Sequence, residues 1–279
     1  MSLPPDFQFS QGSLQDFVEC RRRFQLRYLM RQSWPAAPSE PLLELERTMQ
    51  QGARFHRIVQ QHRLGLPVER LAPLAQEADL SRWWESYLRF SQGGGLQALA
   101  GADVTFYPEI TLTAPLGDFR LLAKLDLLAV TPQGHALILD WKTSRKRPRR
   151  QWLADRLQTR VYPCLLIQAG AFLNAGAPFQ PDQVEMFYWF ADFPDQPERF
   201  TYSASAFQAD WDYLAEMVAT IQRLDRDDFP LTGDTRHCAY CVYRSLCERG
   251  DKAGSLDGFD SFEDELPLLN FDQTLEIEY

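Results

Sequence analysis

The sequence predicts a mixed α/β fold with helices on both sides of a central sheet. Three observations carry this reading. Between Phe106 and Lys142 three apolar runs follow one another with short breaks, as strands do. Segments 14–31, 43–64, 79–92, 151–169 and 205–224 hold apolar residues at helical spacing. A further strand-like run, 184–190, separates the last two of these. The order helices, three strands, helix, strand, helix suits a sheet covered on both faces, and no internal repeat interrupts it.

The elements follow in chain order. Ser13 is placed as an N-cap with Asp16 three residues on, opening a helix over 14–31 whose apolar face includes Phe17, Phe24 and Tyr28. Three prolines in 32–41 mark a connector. In the next helix, Leu43 to Leu64, Gly52 and His56 stand four apart on one face, and the glycine leaves room beside the imidazole for a metal or a close backbone. Trp83, Trp84, Tyr87 and Phe90 make 79–92 a core helix, which Gly93-Gly94-Gly95 ends. Strands are expected over 106–113, 118–130 and 135–142. Glu109 in the first reads equally as an acidic metal ligand or a strand-end charge.

The second and third strands flank Thr131-Pro132-Gln133-Gly134 and read as a hairpin. With the turn centred on Gln133, Val130 faces Ala136 and Asp126 faces Asp140. Facing residues have Cβ atoms about 5 Å apart. Two carboxylates that close, inside apolar strands, repel unless a cation lies between them. Asp140 and Lys142 alternate onto one face, and Leu137, Leu139 and Trp141 onto the other. The hairpin is therefore a candidate site for a hard divalent ion beside a lysine; a salt bridge between Lys142 and one aspartate is the plainer alternative. In 151–169, Gln158 and Tyr162 share a helical face, and Pro163 predicts a kink near Thr159. Residues 200–202 are expected to pair with 184–190, and Phe207, Trp211, Leu214, Val218 and Ile221 give 205–224 a core face.

Charge divides the chain in two. Residues 251–279 hold nine acids and one base, so this tail carries −8 of the net −9. Residues 1–250 are nearly neutral and are expected to form one domain. Within them Lys142 to Arg150 hold six bases and no acid, a basic patch beside the hairpin or a solvated loop. The tail interleaves Phe259, Phe262, Leu266, Leu268, Leu269 and Phe271 with its acids. It reads as a solvated, unfolded segment or as one that docks a partner or mimics DNA. The N-terminus lacks the charged and apolar regions of a signal peptide, and no run of eighteen apolar residues exists. The expectation is a soluble, cytoplasmic protein with no membrane partner.

Cys238, Cys241 and Cys247 form C-x2-C-x5-C, a spacing at which thiolates can converge on one metal centre. Cys20 is the natural fourth ligand and would staple the two chain ends together, with His237 as another candidate. Cys164, in the apolar run Tyr162–Ile167, reads as core. Zinc and a [4Fe-4S] cluster both accept four thiolates, and the spacing does not choose between them.

Taken together, these motifs resemble RecB-like nuclease domains of the PD-(D/E)XK superfamily. Within it they are similar to the iron–sulfur-containing branch of CRISPR adaptation nucleases and AddB-type helicase subunits. The likeness covers most of residues 13–250: Ser13, Cys20 and Phe24 in S-x6-C-x3-F, Gly52 with His56, Asp126 in KLDLL, Asp140-Trp141-Lys142-Thr143, Gln158 with Tyr162, and Phe229-Pro230 leading to the three cysteines. It implies a restriction-endonuclease-like core, with Asp126, Asp140 and His56 holding Mg2+ or Mn2+, joined by Glu109 if that acid is a ligand. It implies that Lys142 activates water and steadies the phosphate, with Gln158 and Tyr162 in support. It implies a [4Fe-4S] cluster on Cys20, Cys238, Cys241 and Cys247 rather than zinc. The implied substrate is DNA, as single strands or ends, and a helicase or integrase is the implied partner. Arg145 to Arg150, Arg156 and Arg160 are then candidate phosphate contacts, and Trp152 a stacking platform.

Overall fold

A computed structural model describes residues 3–32, 40–101 and 103–250; the acidic tail, with its expected docking role, lies outside the described residues. The order is β1 (Gln8–Ser10), α1 (Gln11–Glu19), α2 (Arg21–Phe24), a π-helical turn (Gln25–Leu29), α3 (Glu40–Arg63), α4 (Val68–Leu71), α5 (Ala78–Gln92) and α6 (Gly95–Ala100). There follow β2 (Thr105–Leu116), β3 (Phe119–Val130), β4 (Ala136–Lys142), α7 (Arg150–Asp155), α8 (Leu157–Ala169), β5 (Val184–Phe190), β6 (Glu198–Thr201) and α9 (Ala204–Arg223). No described helix is long and apolar enough to cross a membrane.

β3 is the axis of a six-stranded mixed sheet. Along one edge it pairs antiparallel with β2, from Thr105↔Val130 to Leu116↔Phe119. Along the other it takes two partners in succession, β1 in parallel at Arg120–Leu122 and β4 antiparallel at Leu127–Val130. Between them the edge of β3 is a fork. β5 continues the sheet parallel to β4, and β6 closes it antiparallel to β5. The expected hairpin register holds, with Val130 opposite Ala136.

Helices cover both faces. One core packs Leu14, Phe24, Val161, Leu165, Leu214 and Val218 against the sheet; the other packs Phe55, Trp83, Tyr87 and Leu96 against Leu137, Leu139 and Trp141. Burying both faces at β4 explains why its residues are all buried and why its first four are apolar without a break.

Four local expectations are corrected. The first helix starts earlier: Ser10 is its N-cap and Ser13 the N3 residue of a reciprocal capping box, each hydroxyl accepting the other's backbone N–H. That helix also breaks at Cys20, whose backbone is extended and whose Sγ accepts Arg23 N–H at 3.4 Å, starting α2. The helix expected over 151–169 breaks at Arg156 (ψ 139°), where the arginine side chain is drawn to Glu19. Pro163 leaves α8 continuous, because the burial of Val161, Cys164 and Leu165 beside it outweighs one lost hydrogen bond.

Candidate active site

The site lies at the fork of β3. The β3–β4 ladder stops at Leu127↔Leu139. One residue on, the Asp126 carboxylate takes its place: Oδ2 accepts Trp141 N–H at 2.9 Å, and Oδ1 lies 3.3 Å from Nδ1 of His56 on α3. Across β3, the ladder to β2 runs through Pro108↔Leu127 and Ile110↔Leu125 but leaves out Glu109 between them.

Glu109 has φ +54°, the left-handed region, which in a strand costs a side-chain-bearing residue about 1–3 kcal/mol. The faces of both strands exchange there. In β3, Leu121, Ala123 and Leu125 face the first core, then Leu128 and Val130 do; in β2, Tyr107 does, then Ile110, Leu112 and Ala114. The reversal turns two neighbouring acids toward α3. Ligand atoms of His56, Glu109 and Asp126 all lie within 4.8 Å of one another.

The charges there are opposed. Burial, and then the charge of Asp126, push the Glu109 carboxyl above the ordinary glutamate range, although Lys124 Nζ lies 2.6 Å away. Burial pushes Asp126 the same way, but the charge and hydrogen bond of His56, the Trp141 N–H and Lys142 together hold it below the ordinary aspartate value.

Asp140 stands outside this set of three. Its Oδ2 lies 3.0 Å from Nζ of Lys142, Nζ donates to Oε1 of Gln158 at 3.0 Å, and Nε2 of Gln158 donates back to Oδ1 of Asp140. The three side chains form a closed, buried ring. Tyr188, which reading the sequence missed, lies beneath: its ring centroid is 5.5 Å from Nζ of Lys142, and its hydroxyl meets Oγ1 of Thr159 at 2.7 Å. Its one sequence signal is its place in the apolar run of β5, opposite Asp140. Tyr162, one turn beyond Gln158, is half-buried against the first core.

The basic run is not a free patch. Arg147 and Arg150 both pair with Glu198, and Arg145 reaches Glu44 and Asp79 at 3.4 Å. Arg160 lies 3.6 Å from Asp210. Arg156 is buried on Glu19 and lies over the half-buried Trp152 ring at 4.9 Å, so neither is the exposed contact expected of it.

A family model described as the PD-(D/E)XK nuclease superfamily matches residues 8–248. The chain belongs to this superfamily. No curated protein matches it. Among solved structures, the protein SSO0001 is similar at 13% identity, covering 86% of this chain and 85% of that one, with a TM-score of 0.42. The "Putative exonuclease" of Eubacterium rectale is similar at 13% identity, covering 82% and 87%, with a TM-score of 0.48.

The superfamily match also spans the four thiols expected to act together. Burial, with the Cys20 sulfur adding, pushes the thiols of Cys238, Cys241 and Cys247 up, whereas Cys164 lies apart, with Tyr202 OH at 3.1 Å. Burial, with Cys20 and Cys247 adding, pushes Cys241 up to about 11 against the pull of Arg23. The segment bearing the three cysteines meets the N-terminal helices elsewhere too. Pro230 O accepts Arg22 N–H at 3.3 Å, Phe229 stacks on Phe24, and Tyr243 OH donates to Gln32 O at 3.0 Å.

Proposed function

We propose that this chain is a metal-dependent deoxyribonuclease of the RecB-like kind, hydrolysing phosphodiester bonds in single-stranded DNA or at DNA ends. The observation that carries the proposal is the pairing of two groups at one fork: His56, Glu109 and Asp126 in reach of one ion, and the Lys142–Asp140–Gln158 ring beside them. One imidazole and two carboxylates suit Mn2+ better than Mg2+, which prefers oxygen alone. Asp140 would complete the set on releasing Lys142. When bound, such an ion supplies Lewis acidity and lowers the pKa of water. Lys142 then donates to the charge developing on the phosphate, and Gln158 fixes the direction of that ammonium. Tyr162 supports the same helical face.

Cys20, Cys238, Cys241 and Cys247 are proposed to hold a [4Fe-4S] cluster, with Zn2+ the alternative. The C-x2-C-x5-C spacing, and the contacts of that segment with the N-terminal helix that ends at Cys20 and its neighbours, support a shared site. A helicase or integrase as partner rests on the resemblance alone.

The test is digestion of circular and linear single strands and of linear duplex in Mn2+. Loss of linear DNA with circles intact supports action at ends, and cut circles would make the enzyme an endonuclease. Salt-dependent binding without any cleavage would favour a non-catalytic DNA-binding subunit instead.

A further inference from the structure

Glu19, the last residue of α1, gathers three partners on one buried carboxylate. Oε1 accepts from Nε2 of Gln15 at 2.8 Å and from Nη1 of Arg156 at 3.1 Å, and Oε2 accepts from Nη2 of Arg23. Nδ1 of His237, from the C-terminal segment, lies 3.7 Å from the same Oε2. Glu19, Gln15, Arg23 and Arg156 are all buried.

Two of these contacts lead to the active site. Oε1 of Gln15 accepts Leu157 N–H at 3.3 Å. Leu157 begins α8, whose own N-cap residue, Arg156, makes no side-chain capping bond. The first amide of α8 is therefore capped from α1. Arg156, held on Glu19, is the residue at which the backbone turns from α7 into α8. The residue after Leu157 is Gln158, which α8 presents to Lys142 and Asp140.

Ion pairs as deeply buried as these roughly break even against apolar side chains of the same shape, so stability alone does not account for them. What the charged hub adds is direction, at the one turn that determines where Gln158 points. We propose that Glu19 is a positioning residue for the reaction: through Gln15 and Arg156 it sets the first turn of α8 and so aims Gln158 at the lysine and aspartate. This rests on the nuclease reading above. Arg23 and His237 place the two chain ends on the same carboxylate, so docking of the C-terminal segment reinforces the aim.

The test has two arms on the full chain, one of them independent of activity. Glu19→Ala leaves two guanidiniums short of a partner and risks misfolding, so Glu19→Gln and Gln15→Leu are used. In amide hydrogen exchange, both are expected to speed exchange in the first turn of α8 about five- to tenfold, the size of one lost cap, with β4 and β5 unchanged. In DNA cleavage, both are expected to lower kcat about 10–100-fold with KM within about twofold. Combined with Gln158→Ala, neither is expected to lower kcat further, because both act through that side chain. Exchange that rises evenly along the chain or not at all, or losses that multiply, would overturn the proposal. Wild-type protein that cleaves nothing would sink the nuclease reading and the positioning role with it, while exchange would still report whether Glu19 holds α8.

Discussion

Removing the charge of Glu109 is expected to stabilise the metal-free protein and weaken its response to metal. With ligand atoms at most 4.8 Å apart, the ionised Glu109 and Asp126 repel by about 3.5 kcal/mol at an effective dielectric near 20. Glu109→Gln removes this but also gives up the ion pair with the half-exposed Lys124, worth up to about 1 kcal/mol. The net gain is about 2.5 kcal/mol, or roughly 5–10 °C in Tm for a domain of this size. Because burial and Asp126 raise the Glu109 pKa, its contribution to metal-free stability is present below the ordinary glutamate value and lost as pH rises through the raised one. Metal-free wild type should therefore lose stability as pH rises through that range, the advantage of the variant should grow, and the variant's own slope should be flatter. Mn2+ at a hundredfold excess over its Kd adds about 2.7 kcal/mol to the wild type, and less to a variant lacking one ligand. Thermal melts of both proteins, with and without Mn2+, from pH 5 to 8, measure all of this. Equal metal-free Tm values together with equal Mn2+ shifts would refute the reasoning, since Glu109 would then be neither repelled nor a ligand.

Other outcomes follow from the same contacts. Asp126→Asn should abolish Mn2+ binding in calorimetry, because it removes the carboxylate shared by His56 and Trp141 N–H at the centre of the three-residue set. Cys241→Ser should remove iron or zinc from the purified protein, whereas Cys164→Ser should leave metal content unchanged and lower Tm, because Cys164 is buried against Tyr202. In metal-free protein, alkylation of Cys241 should be slow at neutral pH and accelerate toward about 11. Ser10→Ala should cost about 1 kcal/mol, or 2–4 °C, by removing half of the capping box.

The hairpin could be read before the structure because two independent signals agreed, the break at Thr131–Gly134 and the apolar runs on each side of it; a turn centred on Gln133 then sets Val130 opposite Ala136. The face shared by Asp140 and Lys142 follows from strand geometry alone. Glu109 could not be decided, since its role depends on a left-handed backbone angle inside a strand, which no residue pattern announces. β1 was missed because three residues are too short to show a period. Cys20 was expected as a ligand, but its break between α1 and α2 was hidden by helix-forming neighbours on both sides. Arg156 looked like surface charge because its partner, Glu19, is remote in sequence. The same holds for Arg147 and Arg150, which share Glu198 on the far strand as their partner.

The central claim is that the fork of β3 performs the chemistry. Its most direct test is single-turnover cleavage of end-labelled DNA in Mn2+ by anaerobically purified wild type, Asp126→Asn and Lys142→Ala, with chelator as control. Wild type is expected to cleave, chelator to abolish that cleavage, and each substitution to lower it by at least about a hundredfold. Cleavage surviving in both variants at the wild-type rate would contradict it, because the hydrolysis would then belong to residues other than these.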